Sequence, residues 1–144
     1  MPEMNQQCDS WLMKGRRRLQ EAERYLKQDR YSESVSASQE CIEFSVKAIF
    51  SFFSVEFTKE HKIREQKFKE VYNKIPQECK EKYNYPRIYL LSNFWSEFYI
   101  EAKYGFEILK IGSDKIFEKG EADLALQHAY ETKEASWAVI FHTT

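Results

Sequence analysis

The chain has 144 residues, of which 42% are hydrophobic and 31% charged, with a formal net charge of −1. That length suits one domain, residues 1–144, able to remove roughly 70% of its unfolded surface from water. The charge balance excludes a protein that grips duplex DNA through a strong basic excess, and 4 Gly and 3 Pro are too few for the many turns of an all-β fold.

Residues 5–28 form the first predicted helix. Leu12, Gly15, Leu19, Ala22 and Leu26 recur at spacings of three and four and share one face. Arg17, Glu21, Arg24 and Gln28 fall opposite. The run GRRRLQEAER reads as a solvated, salt-bridged face because its glutamates can pair with its arginines along the helix. Arg18 is the exception. It falls between Trp11 and Tyr25 at the edge of the apolar stripe, placed to stack on those rings or to reach a carboxylate on a neighbouring helix.

A break at 29–32 leads to a second helix over 31–53, with Val35, Ile42, Val46, Ile49 and Phe53 as its core stripe. Its flank is made of small residues: Ala37, Ser38, Cys41, Ser45 and Ala48. Small side chains let helices approach closely, which predicts the central helix of the domain. Glu43 and Lys47 stand one turn apart on the polar side of that helix, in the favourable order, and are expected to be only partly buried.

After a loop at 56–60, His61 opens a third helix running to about Lys74, with Ile63, Phe68, Val71 and Ile75 as its apolar face and Pro76 as its stop. Residues 77–85 allow a partial helical turn. From Arg87, the residues Ile88, Leu91, Trp95, Phe98 and Ala102 keep a three-four rhythm that predicts one continuous helix to Lys103–Tyr104, ended by Gly105. Residues 105–119 read as an ordered excursion with short extended pieces. A fifth helix spans 121–141, with Ala122, Ala125, Leu126, Ala129, Ser136 and Ile140 inward. The expectation is an all-α, antiparallel up-down bundle of four to five helices.

Three cysteines without a CxxC pair offer neither a disulfide framework nor a zinc knuckle, and read as reduced thiols of a cytoplasmic protein. The start lacks the layout of a signal peptide. The most apolar stretch, AIFSFFSVEF, falls well short of the ~20 residues that cross a bilayer, so no membrane association is expected. GxGxxG, GxxxxGK[ST] and GxSxG are all absent. The residues three before His61, His128 and His142 are Thr58, Ala125 and Val139, so the Glu-x-x-His pairs of a di-metal bundle are missing. Neither a metal nor a cofactor is expected.

The second helix nevertheless carries a pattern. Tyr31-x3-Val35, then Gln39-Glu40-Cys41-Ile42-Glu43-x3-Lys47-Ala48-Ile49, then His61-x-Ile63, resembles the HEPN domain. Tyr99-Ile100-Glu101-Ala102-Lys103-Tyr104-Gly105 is similar to a second motif of that family, and the alanine-rich run from Ala122 to Ala138 resembles its last helix. The resemblance covers about Trp11 to Ile140. One departure is Lys103, where the family usually has Arg, which weakens any planar bidentate contact there.

The resemblance implies a helical bundle, usually a homodimer, linked to nucleotides or RNA. Many members are ribonucleases that use an Arg followed four to six residues later by a His. None of the arginines here (16, 17, 18, 24, 30, 64, 87) has a His at that distance. The chain therefore looks more like the non-catalytic branch, often paired with a small nucleotidyltransferase, and no catalytic residue is assigned. Lys47, His61, Arg87, Lys103 and Tyr104 are the candidate nucleotide contacts: the cations would meet phosphates and Tyr104 would stack on a base.

Two other readings compete: a divergent metal-independent ribonuclease assembling His61 with a distant Arg, and a structural subunit without a ligand. His128 has no arginine within two helical turns, and His142 lies beside an end expected to fray. The aromatic surplus, with Trp95, Phe98, Tyr99 and Trp137 near the ends of inner faces, predicts an exposed apolar interface in the homodimer.

Overall fold

Asn5 starts the first helix by accepting the Cys8 N–H at 2.7 Å on its side chain, an N-cap that satisfies one of the orphan donors of the first turn. The structure is a computed structural model and describes residues 3–57 and 62–142. The first helix, α1, is Gln6–Lys27, and the second, α2, is Tyr31–Phe52. Between them Asp29 takes a left-handed φ of 59°, with the Arg30 N–H bonded back to the Tyr25 carbonyl at 2.9 Å. This reverse turn folds α2 back antiparallel to α1. Ser54 does the same after α2, with φ 56° and the Val55 N–H bonded to the Phe50 carbonyl.

α3 is Glu65–Tyr72, shorter than the span to Lys74 that its apolar residues predict. The predicted partial turn is a six-residue helix, α4, Gln77–Lys82. The continuous fourth helix is not observed. It is broken into α5, Tyr85–Ser96, and α6, Tyr99–Tyr104. At the break Phe98 packs against Phe94 on one side and Phe117 on the other, with centroids 5.3 and 6.4 Å away. Residues 105–119 hold a single antiparallel bridge, Phe106 to Ile111, and a 3-10 turn, Ser113–Lys115. α7, Lys119–Ile140, begins with a capping box in which Glu118 and Glu121 satisfy each other's backbone.

α2 is the central element: α1 and α7 pack along it, and α5 and α6 close over it. From Ser34 to Gln39 every residue is buried, while Glu33, Glu40, Phe44, Lys47 and Ser51 keep a partly buried stripe, so Lys47 is partly buried as expected. Glu43, placed on the same polar side by the sequence, is buried. Close approach is made by small residues and stitched by their side chains. Ser34 Oγ donates to the Ala22 carbonyl and Ser136 Oγ to the Ser45 carbonyl, each at 2.8 Å. Opposite, α7 presents Ala122, Ala125, Ala129 and Ala135, all fully buried. Gly15 of α1 lies where a Cβ would come within 3.3 Å of Ser45 Oγ, so its missing side chain sets the α1–α2 spacing.

The larger side chains gather in two cores. Leu12, Ile49, Phe50, Val71, Tyr85 and Val139 belong to one; Leu19, Val35, Ile42, Trp95 and Phe117 to the other. At roughly 25 cal/mol per Å² of apolar surface, a buried Leu or Ile contributes about 2 kcal/mol before entropy is counted.

Candidate functional site

Lys47 sits in the second-helix position that carries the family pattern, and α1 determines what surrounds it. Its Nζ lies 4.7 Å from the Trp11 ring centroid and 5.3 Å from that of Phe57. Trp11 is itself stacked on Phe44 at 5.4 Å, and Lys14 Nζ lies 4.8 Å from the same indole. The Glu43 carboxylate is 3.9 Å away, at the outer limit of an ion pair. Trp11, Lys47 and Phe57 border a groove of about 430 Å³ that Gln7, Ser51, Val55 and Glu56 also line. Its volume falls in the range that accepts small organic ligands. The Lys47 ammonium beside the indole, with the Gln7 amide and the Ser51 hydroxyl at the rim, can take up an anion, which would enter past the Glu56 carboxylate.

Lys103 and Arg87 lie in different parts of the bundle. Glu40 of α2, with its side chain 14% exposed, is held between two cations. Lys103 Nζ stands 3.2 Å from Glu40 Oε1, and Arg18 Nε faces Glu40 Oε2 at 3.4 Å. Arg18 also pairs with Glu21. The reach expected of Arg18, to a carboxylate on a neighbouring helix, is therefore realised at Glu40. Lys103 further donates to the Tyr99 hydroxyl at 3.2 Å. That hydrogen bond first, and Glu40 after it, raise the Lys103 pKa above its ordinary value. A point charge suffices at this spot, so the lysine that departs from the family's Arg has an assigned place.

Arg87 donates from Nε to Glu131 Oε2 at 2.6 Å, which raises its pKa. Trp95 Nε1 donates to His128 Nδ1 at 2.9 Å, so the neutral imidazole carries its proton on Nε2. Burial first, and the positive charge of Arg87 second, push the His128 pKa down, with Glu131 opposing. The sequence leaves His128 without a nearby arginine. The α5–α7 packing supplies one from another helix, a relation that spacing along one helix could not reveal.

The candidate residues are thus not gathered into one site. Lys47 lies in the groove, Arg87 near α7 and Lys103 over α2, while Tyr104 is exposed at 59%. His61 lies outside the described residues. Each of the three cations has a carboxylate, and that of Lys47 is the most distant. Trp95, expected in an exposed patch, is buried at 3% exposure because the three-four rhythm points it inward. Exposed apolar side chains include its outward neighbours Leu90 and Phe94, a group from Ile100 and Tyr104 through Phe106, Ile108, Leu109 and Ile111, and Leu124, Tyr130 and Phe141 on or beside α7. His142, expected to fray, has its side chain mostly covered, with Nε2 3.6 Å from Glu78 Oε2.

Cys8, Cys41 and Cys79 are free thiols, and all are buried. Burial pushes Cys8 up to about 11 and Cys41 up to about 12, so neither is a thiolate near neutrality. Among the described residues no three His, Cys, Asp or Glu side chains converge on a metal position. No helix among them is long and apolar enough to cross a membrane.

These features define an all-α bundle organised around a small-residue central helix. A family model described as the HEPN domain matches residues 8–136. The chain belongs to the HEPN family. No curated protein and no solved structure matches it.

Proposed function

We propose that this chain is a non-catalytic HEPN binding module that acts as a homodimer and takes an anionic ligand, a nucleotide or the phosphate of an RNA, at Lys47. The supporting observation is the Lys47 ammonium between Trp11 and Phe57 at the edge of the 430 Å³ groove. A phosphate would replace the distant Glu43 contact, and the aromatic walls would meet a base or sugar. Association with a small nucleotidyltransferase is the protein partnership that fits such a module.

The test is thermal denaturation with ATP, AMP and a single-stranded RNA oligomer, with Lys47→Met beside the parent. A ligand at about 100 times its Kd adds about 2.7 kcal/mol to the native state, which would raise the melting point by several degrees. We expect that rise in the parent and its loss in Lys47→Met. A parent that is unmoved by millimolar nucleotide and by RNA would refute ligand binding.

One observation favours a second reading, the divergent ribonuclease. Arg87 acts electrostatically on His128, whose imidazole is neutral and carries its proton on Nε2. A histidine that moves a proton beside a cation that stabilises phosphate charge is the minimum for metal-independent cleavage. Arg87 is already neutralised by Glu131 at 2.6 Å, and on that ground the binding module is preferred. Cleavage of labelled RNA by the parent, abolished by both Arg87→Ala and His128→Ala, would reverse the preference.

A further inference from the structure

Where α6 ends, Gly105 adopts φ 73° and turns the chain into a tight hairpin. Phe106 and Ile111 exchange both backbone hydrogen bonds, at 2.9 and 3.1 Å. The Lys110 N–H closes the tip on the Glu107 carbonyl at 3.1 Å, with Lys110 itself left-handed at φ 57°. This frame presents two aliphatic side chains to solvent, Ile108 at 96% exposure and Leu109 at 64%. On α6, Ile100 and Tyr104 are also exposed and lie one turn apart on a shared face. Such exposure gives the core almost nothing, and an exposed apolar tip held by backbone hydrogen bonds is suited to an interface.

The charges identify the occupant. The tip reads Glu107-Ile108-Leu109-Lys110, which is antisymmetric about the bond between Ile108 and Leu109. A two-fold axis just beyond the tip, normal to the plane of the hairpin, sets Glu107 towards the partner subunit's Lys110, and Lys110 towards the partner subunit's Glu107. The apolar pairs are then buried between them, as an isologous contact requires. We propose that the 106–111 hairpin is a self-association face whose partner is a second copy of this chain, paired tip to tip across that axis. The inference rests on the homodimer reading above and specifies the surface that forms it.

The full-length chain is measured by sedimentation velocity and equilibrium at up to tens of micromolar. Samples are the parent, Glu107→Lys, Lys110→Glu, Ile108→Ser, and an equimolar mixture of the two charge variants. Each charge reversal puts like charges face to face twice, and we expect its dimer Kd to rise about tenfold or more. Ile108→Ser should weaken the dimer similarly. The mixture should regain parental association as a heterodimer, because both contacts then pair opposite charges. Melting points of dilute samples should stay at the parental value, since all three positions are exposed. A parental dimer that none of the substitutions weakens would overturn this face and leave the homodimer standing. Charge variants that weaken singly but are not rescued in the mixture would overturn the axis. A parent that remains monomeric would overturn the face and the homodimer together.

Discussion

Tyr85→Phe isolates one hydrogen bond in the larger core. Tyr85 opens α5 and is 2% exposed, and its hydroxyl donates to the Ala135 carbonyl of α7 at 2.9 Å. Removing the oxygen leaves the ring in place, so no void large enough to matter appears. It also leaves no orphan, because the Ala135 carbonyl lies inside α7 and keeps its intrahelical partner four residues on. What remains is the net worth of one buried neutral hydrogen bond, about 1 kcal/mol. For a chain of this size that corresponds to a fall in Tm of roughly 2–4 °C. Urea denaturation followed by far-UV circular dichroism would show the midpoint moving at constant slope. Tyr104→Phe, at an exposed position, should not move it. Tyr85→Ala, which opens a cavity, should cost about 3–5 kcal/mol. A Tyr85→Phe midpoint equal to the parent would refute the view that this bond ties α5 to α7, and a loss as large as that of Tyr85→Ala would refute the intact-packing argument. Burial also pushes the Tyr85 phenol far above its ordinary value, so the bond should persist until the fold itself fails in alkali.

Acid should weaken the protein through His128. Its folded pKa lies below the ordinary 6.5, so the unfolded chain binds the proton more readily. The stability this group contributes is present above that value and is lost as pH falls through the folded pKa. Urea midpoints measured from about pH 7.5 down to about pH 5 should fall, and less steeply in His128→Gln; identical slopes would refute the assignment. Lys47→Met should cost about 1 kcal/mol or less, the sum of a partly buried cation–π contact and a loose i,i+4 pair. Outright unfolding of that variant, seen by circular dichroism, would mean that the charge is a structural necessity. Gly105→Ala places a Cβ against the Ile111 carbonyl at a φ, ψ of 73°, −162° that is close to glycine-only. It should loosen the hairpin by about 1–3 kcal/mol, seen as faster amide exchange at Phe106 and Ile111 with little change in the global melting point.

The long helices were legible because their apolar spacing is driven by burial on one side, as at Leu12, Leu19 and Ala22 of α1. α2 was legible as central from its small flank. The depth of its burial was not, because Glu43 and Gln39 look like solvent residues until the helices that pack around α2 are in place. The break before Phe98 was hidden for a related reason. Trp95, Phe98 and Ala102 keep helical spacing across it, and neither Gly nor Pro marks it. Phe117, from a distant segment, supplies the contact that accompanies the turn. The family pattern pointed to Lys47 and Lys103 but could not say that Trp11, Phe57 and Glu40 surround them. Arg87 acts on His128 only through the packing of α5 on α7, so a search for both on one helix was bound to miss the relation.

The alanine face of α7 bears on how the chain is made. Three residues separate α1 from α2, so the two can pair as soon as both have left the ribosome. The wall that covers their other side begins only at Lys119. At ordinary synthesis speeds the nascent pair waits on the order of several seconds for it. During that wait the uncovered face of α2 shows Ser38, Cys41 and Ser45 among its small residues, in place of leucines and phenylalanines. Such a face can stay hydrated at little cost and offers a neighbouring nascent chain little apolar surface to hold. The same residues that let α7 approach closely at the end keep the unfinished protein from sticking before it arrives.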